Sequence, residues 1–103
     1  MDIIKNKAEY DKVLADNKSV FVDFYADWCG PCKMVGPVLE EISNDYTDIK
    51  FVKVNVDDNP EIAQQYGIMS IPTMIGFKNG EKVASSLGFM PREELEAVVK
   101  QTL

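Results

Sequence analysis

The chain has no histidine and only two cysteines among its 103 residues. A structural zinc site normally takes four protein ligands, mostly cysteine and histidine, so too few are present to build one. Covalent haem attachment would need histidine directly after the second cysteine, where Lys33 stands. Long apolar runs are also missing, and none approaches the roughly 18 residues of a membrane helix. The opening Met1-Asp2-Ile3-Ile4-Lys5-Asn6 lacks the basic-then-apolar order of a secretory leader. The expected location is therefore the cytoplasm, although a secreted chain whose leader had been removed would read the same way. Positive charge is scarce: 11 basic against 17 acidic side chains leave a net charge of -6, with no basic cluster. Nucleic acid and anionic membrane surfaces are thus poor partners. Without a G-x-G-x-x-G fingerprint the chain is not expected to bind NADPH or flavin. No linker, repeat or low-complexity stretch interrupts it, so one domain over residues 1–103 is expected.

What is present has an alternating rhythm. Tyr10, Val13 and Leu14 fall on one face of a short helix over Ala8–Asp16. Ser19–Ala26 is nearly continuous in apolar and aromatic residues, as a strand covered on both faces should be. From Cys32 to about Tyr46, a second helix carries Val35, Val38, Leu39, Ile42 and Tyr46 on one stripe, with Pro37 inside it. Phe51–Val56 alternates, the valines on one face and Lys53 and Asn55 on the other. Asn59-Pro60 marks a capped helix start and Gly67 its stop. Thr73–Lys78 and Lys82–Leu87 flank Asn79-Gly80, a hairpin signal because both turn residues tolerate positive φ. A last helix opens at Pro91, with Leu95, Val98, Val99 and Leu103 predicted as its core stripe. With Ile3 and Ile4 as a possible first strand, the order implies an α/β fold, a mixed sheet between helices.

The two cysteines lie in Trp28-Cys29-Gly30-Pro31-Cys32-Lys33. A structural disulfide this short closes too small a loop to constrain the unfolded chain much. Two unrelated buried thiols remain an open alternative. The position favours chemistry: Cys29 falls at a strand-to-helix junction and Cys32 in the first turn, where free N–H groups and the positive dipole end favour thiolate. A helix terminus supplies about 0.3–1 kcal/mol, whereas lowering a thiol pKa by about 1.5 units takes roughly 2 kcal/mol. The dipole alone falls short, and a hydrogen bond between the sulfurs is a natural supplement.

Asp23 is the one polar residue between Val20 and Ala26. At a sheet edge it would simply face water. In a central strand its carboxyl is desolvated, its pKa rises, and it becomes able to shuttle a proton near neutral pH. Lys53 is either its partner or an ordinary solvated lysine. Pro72, in Ile71-Pro72-Thr73, is either a strand boundary or the site of a cis peptide.

Taken together, Val22-Asp23-Phe24, Trp28-Cys29-Gly30-Pro31-Cys32-Lys33, Pro37, Asp57 with Asn59-Pro60, Tyr66-Gly67-Ile68, Ile71-Pro72-Thr73, Phe77-Lys78-Asn79-Gly80 and Gly88 closely resemble the thioredoxin family, over the whole chain. The resemblance implies a five-stranded mixed sheet with four helices and a general protein-disulfide reductase, an electron carrier between a thioredoxin reductase and disulfide-containing proteins. Its redox-active disulfide would be Cys29–Cys32, with no other cofactor, and the chain would act as a monomer. It further implies Cys29 as an exposed nucleophile, Cys32 as the resolving thiol, Asp23 as the acceptor of its proton, Lys53 beside Asp23, and Pro72 as a cis-proline facing the cysteines. Trp28, Gly30, Pro31, Ile71, Gly88 and Phe89 would form the apolar docking surface, with the Ile71 backbone pairing to substrate like an added strand. The chain departs from many members in carrying Tyr25 where they have Trp, which leaves Trp28 as its single tryptophan. Two other functions compete: a disulfide oxidase or isomerase, whose relatives typically place His between the cysteines, and a binding subunit of the same fold with incidental thiols.

Overall fold

The structure is a computed structural model describing residues 1–103. Its elements run β1 (Asp2–Ile3), α1 (Lys7–Asp16), β2 (Ser19–Tyr25), α2 (Gly30–Asp45), β3 (Lys50–Asn55), α3 (Pro60–Gln65), β4 (Thr73–Lys78), β5 (Glu81–Leu87) and α4 (Arg92–Lys100). The five strands form one sheet in the order β1-β3-β2-β4-β5. β1, β3 and β2 run parallel, while β4 and β5 are antiparallel to their neighbours. This is the mixed α/β sheet with four helices that the resemblance implies.

Alternation along the strands divides the core. Val20, Val22 and Phe24 of β2, Val52 and Val54 of β3, and Ile75 and Phe77 of β4 pack with Tyr10 of α1 and Ile62 of α3. On the other face, Phe21, Phe51 and Met74 pack with Val35, Leu39 and Ile42 of α2 and with Leu95 and Val99 of α4. Because side-chain direction has period two, Asp23 and Tyr25 share Phe21's face, as Lys53 and Asn55 share that of Phe51. The functional side chains of both central strands therefore point under α2.

The hairpin forms as predicted, with Asn79 at φ 53° and Gly80 at φ 80° between the paired Lys78 and Glu81. Two expectations are corrected. Leu103 is 51% exposed, and Thr102 is the buried residue at that end of the last helix, because the chain leaves the helix after Lys100 and turns. Asn59 precedes α3, yet its side chain does not cap the helix and donates instead to the Asn55 carbonyl at 3.1 Å. Asn55 lies on the face opposite the valines, as expected, and is buried: its Oδ1 accepts from the N–H groups of Asp57 (2.9 Å) and Asp58 (3.2 Å), fixing the loop beside the cysteines.

Gly76 of β4 is glycine for lack of space. A Cβ there would collide with Thr102 Oγ1 and stand 3.3 Å from the Ala84 Cβ. Gly76→Ala is expected to lower stability by about 1–3 kcal/mol, the usual cost of overpacking. Urea unfolding checks this, and adding Thr102→Ala should restore part of the loss.

Candidate functional site

β2 ends at Tyr25 and the chain turns through Ala26-Asp27-Trp28 into α2. Cys29 is the N-cap of that helix: its backbone is extended and its Sγ accepts from Cys32 N–H at 3.2 Å. Gly30 and Pro31 occupy the first turn, where a missing N–H costs nothing because none of the first N–H groups has a helical partner. Cys29 and Cys32 are joined as a disulfide, their Cα atoms 5.3 Å apart. The helix begins two residues earlier than the apolar stripe predicts, because Gly30-Pro31 carries no hydrophobic signal. Cys29 is only 4% exposed and Cys32 5%, so residue exposure does not single out Cys29 as the sequence led one to expect. Their surroundings do differ. Cys29 Sγ lies 3.8 Å from the Ile71 carbonyl oxygen, whereas Cys32 lines a cleft beneath α2 with Tyr25, Lys33, Gly36 and Lys53.

Around the disulfide the chain presents apolar surface. Trp28 is 71% exposed and its Nε1 donates to Asp57 Oδ2 at 2.8 Å, which fixes the indole beside the helix start. Gly30 and Pro31 are exposed, Ile71 and Gly88 half-buried, and Phe89 exposed. The Ile71-Pro72 peptide is cis, and Pro72 is buried with its carbonyl accepting from Gly88 N–H at 2.8 Å. That bond, with Gly88 at φ 82°, draws the segment after β5 against the Pro72 loop. Neither the N–H nor the C=O of Ile71 takes part in a backbone hydrogen bond. Met69, two positions before Ile71, is 97% exposed, and Met34, two positions after Cys32, is 58% exposed. Sequence reasoning missed both, since a methionine in a loop or on an outward helix face carries no periodic signal.

Asp23 sits in the centre of the sheet at 1% exposure, between Lys53 on β3 and Met74 on β4. Neither carboxylate oxygen has a hydrogen-bond partner. Burial pushes its pKa up to about 6, opposed only by the positive charge of Lys53. Lys53 is its neighbour in register without forming an ion pair with it: the ammonium instead stands 4.3 Å from the centroid of the Tyr25 ring. Thus Asp23 and Lys53 share the sheet face that α2 covers, Cys32 lines a cleft there with Tyr25 and Lys53, and Cys29 lies beside the Ile71 carbonyl. No group of three or more His, Cys, Asp or Glu side chains gathers to hold a metal.

Residues 2–101 match the Thioredoxin family model. The chain is 51% identical over 100 residues to a thioredoxin of Mycoplasmoides gallisepticum, covering 97% of this chain and all of that protein. It is 52% identical over 85 residues to a thioredoxin of Bacillus subtilis, covering 82% of each. Among solved structures, a Plasmodium falciparum thioredoxin superposes with a TM-score of 0.94 at 38% identity, over the full length of both chains. Sequence, architecture and the disulfide at the start of α2 agree: the chain belongs to the thioredoxin family, the thiol–disulfide oxidoreductases.

Proposed function

We propose that the chain is a general protein-disulfide reductase in which Cys29 attacks and Cys32 resolves. The observation that carries this reading is the placement of Cys29: N-cap of α2, its sulfur accepting from a helix N–H and lying 3.8 Å from the Ile71 carbonyl oxygen. In the reduced protein the Cys29 thiolate attacks one sulfur of a substrate disulfide. That S–S bond breaks, a mixed disulfide forms, and one substrate sulfur departs as thiolate, taking its proton from water. Asp23 accepts the proton of Cys32, whose thiolate then attacks the Cys29 sulfur. The second substrate thiol leaves and Cys29–Cys32 closes, so two electrons have passed from the dithiol to the substrate. The raised pKa of Asp23 suits it to this role, since an acceptor titrating at about 6 both takes and returns a proton near neutrality.

Trp28, Gly30, Pro31, Ile71, Gly88 and Phe89 are the docking surface, with the unpaired Ile71 backbone offered to an extended substrate segment. Pro72 holds that segment against Cys29. A thioredoxin reductase returns the electrons, and the chain acts as a single-domain monomer in the cytoplasm, where thiols are kept reduced. No helix is long and apolar enough to cross a membrane.

With NADPH and a thioredoxin reductase, the wild type is expected to reduce a disulfide protein such as insulin catalytically, and the double variant Cys29→Ser/Cys32→Ser to do nothing above background. A wild type that turns over no faster than the double variant would favour a binding subunit. A potential well above that of glutathione would favour an oxidase instead.

A further inference from the structure

The Lys53 side chain raises a question the disulfide chemistry leaves open. An ammonium beside a buried, unpartnered carboxylate would ordinarily close on it, since each oxygen left without a partner in the interior carries its full desolvation cost. Lys53 and Asp23 are register neighbours on adjacent strands and share a face, so nothing in the backbone keeps them apart. Yet Asp23 Oδ1 and Oδ2 are both unpartnered, and the Lys53 ammonium lies over the face of Tyr25, 4.3 Å from its centroid. Tyr25 follows Asp23 by two positions on β2, on the same face, and lines a cleft together with Cys32 and Lys53. A cation centred on an aromatic face at this range is held by the ring quadrupole, more firmly where water is partly excluded.

We propose that Tyr25 is a positioning residue for the proton step, its ring holding Lys53 off Asp23 so that the carboxyl stays unpaired and able to accept the proton of Cys32. This rests on the reading of Asp23 as that acceptor. The titratable groups lining the cleft are Tyr25 from β2, Lys53 from β3, Asp27 from the β2–α2 loop, and Cys32, Lys33, Glu40 and Glu41 from α2. Asp23, buried beneath, and Asp58 of the β3–α3 loop also act on the Tyr25 hydroxyl. Asp27, Asp58, Glu40 and Glu41 are exposed and already solvated. An ammonium released by the ring therefore gains most from Asp23, the one carboxylate that water does not serve.

Titration of the Asp23 carboxyl carbon by NMR in the oxidised protein, where no thiol ionises, tests this directly. Tyr25→Leu is expected to move the Asp23 midpoint down by about half to one pH unit, while Tyr25→Phe, which keeps the ring face, leaves it in place. In a Lys53→Met background, Tyr25→Leu should produce no downward shift. A midpoint unchanged or raised by Tyr25→Leu overturns the proposal, as does an equal shift without Lys53. Amide spectra establish that each variant is folded, and Tyr25→Met replaces Tyr25→Leu should the latter fail to fold. In the reduced protein, the pH profile of mixed-disulfide resolution should follow the carboxyl shift. If Asp23→Asn leaves that profile unmoved, the acceptor reading fails, while the NMR shift still decides whether Tyr25 places Lys53.

Discussion

Cys29→Ser is expected to abolish disulfide reduction, lowering turnover by about ten-thousandfold or more, the scale on which loss of a catalytic nucleophile is felt. A serine hydroxyl at the N-cap still receives the Cys32 N–H, so α2 keeps its start and the variant should fold. What disappears is the attacking sulfur at the start of α2, beside the Ile71 carbonyl. Cys32 does not replace it, because it lines the cleft under α2 rather than lying beside the Ile71 carbonyl. Cys32→Ser is expected to behave differently: attack proceeds once, the mixed disulfide forms, and no thiol is present to resolve it. Incubated with a disulfide protein, the reduced Cys32→Ser variant should accumulate a one-to-one adduct, seen by mass spectrometry and released by a dithiol, and reduced Cys29→Ser should accumulate none. Equal adduct from both would reverse the assigned order of attack.

How far the sequence reached is clear from particular residues. The apolar run around Asp23 announces a strand covered on both faces, and its place between β3 and β4 follows. Asn79-Gly80 specifies its turn because two consecutive residues must take positive φ. The cysteine spacing, the absence of other ligands and the strand-to-helix junction favour a redox pair at Cys29 and Cys32 without closing the alternative, and the family resemblance is what implies it before any coordinates. Other features depend on contacts distant in sequence, to which periodicity is blind. Asn55 looks like the polar face of a strand, yet it is buried because its side chain satisfies two loop N–H groups. Trp28 reads as one more aromatic until Asp57, 29 residues on, is seen to hold its indole. Lys53 alternates correctly to the face of Asp23, but alternation gives only the face, and the choice between carboxylate and Tyr25 ring is made in three dimensions.

Asp23→Asn is expected to stabilise the protein at neutral and alkaline pH while slowing resolution of the mixed disulfide. The folded-state pKa of Asp23 is raised by burial from 3.8 to about 6. Between those values the folded chain holds a proton that the unfolded chain has released. Stability from this group is therefore complete below about pH 4, falls as pH rises toward 6, and stays low above that. A difference of roughly 2 pKa units corresponds to about 3 kcal/mol, so the wild type should lose on the order of 3 kcal/mol through this one carboxyl between pH 4 and pH 8. Asparagine keeps the shape of the protonated acid and cannot ionise, so its stability curve lacks that decline. Urea unfolding of both proteins across this range should show the variant gaining on the wild type by that amount, most of it between pH 4 and 7. Parallel curves would mean that Asp23 titrates alike in the folded and unfolded chains. The kinetic cost runs the other way: with no carboxylate to accept the proton of Cys32, release of substrate from the mixed disulfide should slow by about ten- to a hundredfold or more, in the range where general-base catalysis is lost. The same desolvation that weakens the fold at neutral pH thus equips the carboxyl for the reaction, and a single substitution should separate the two effects.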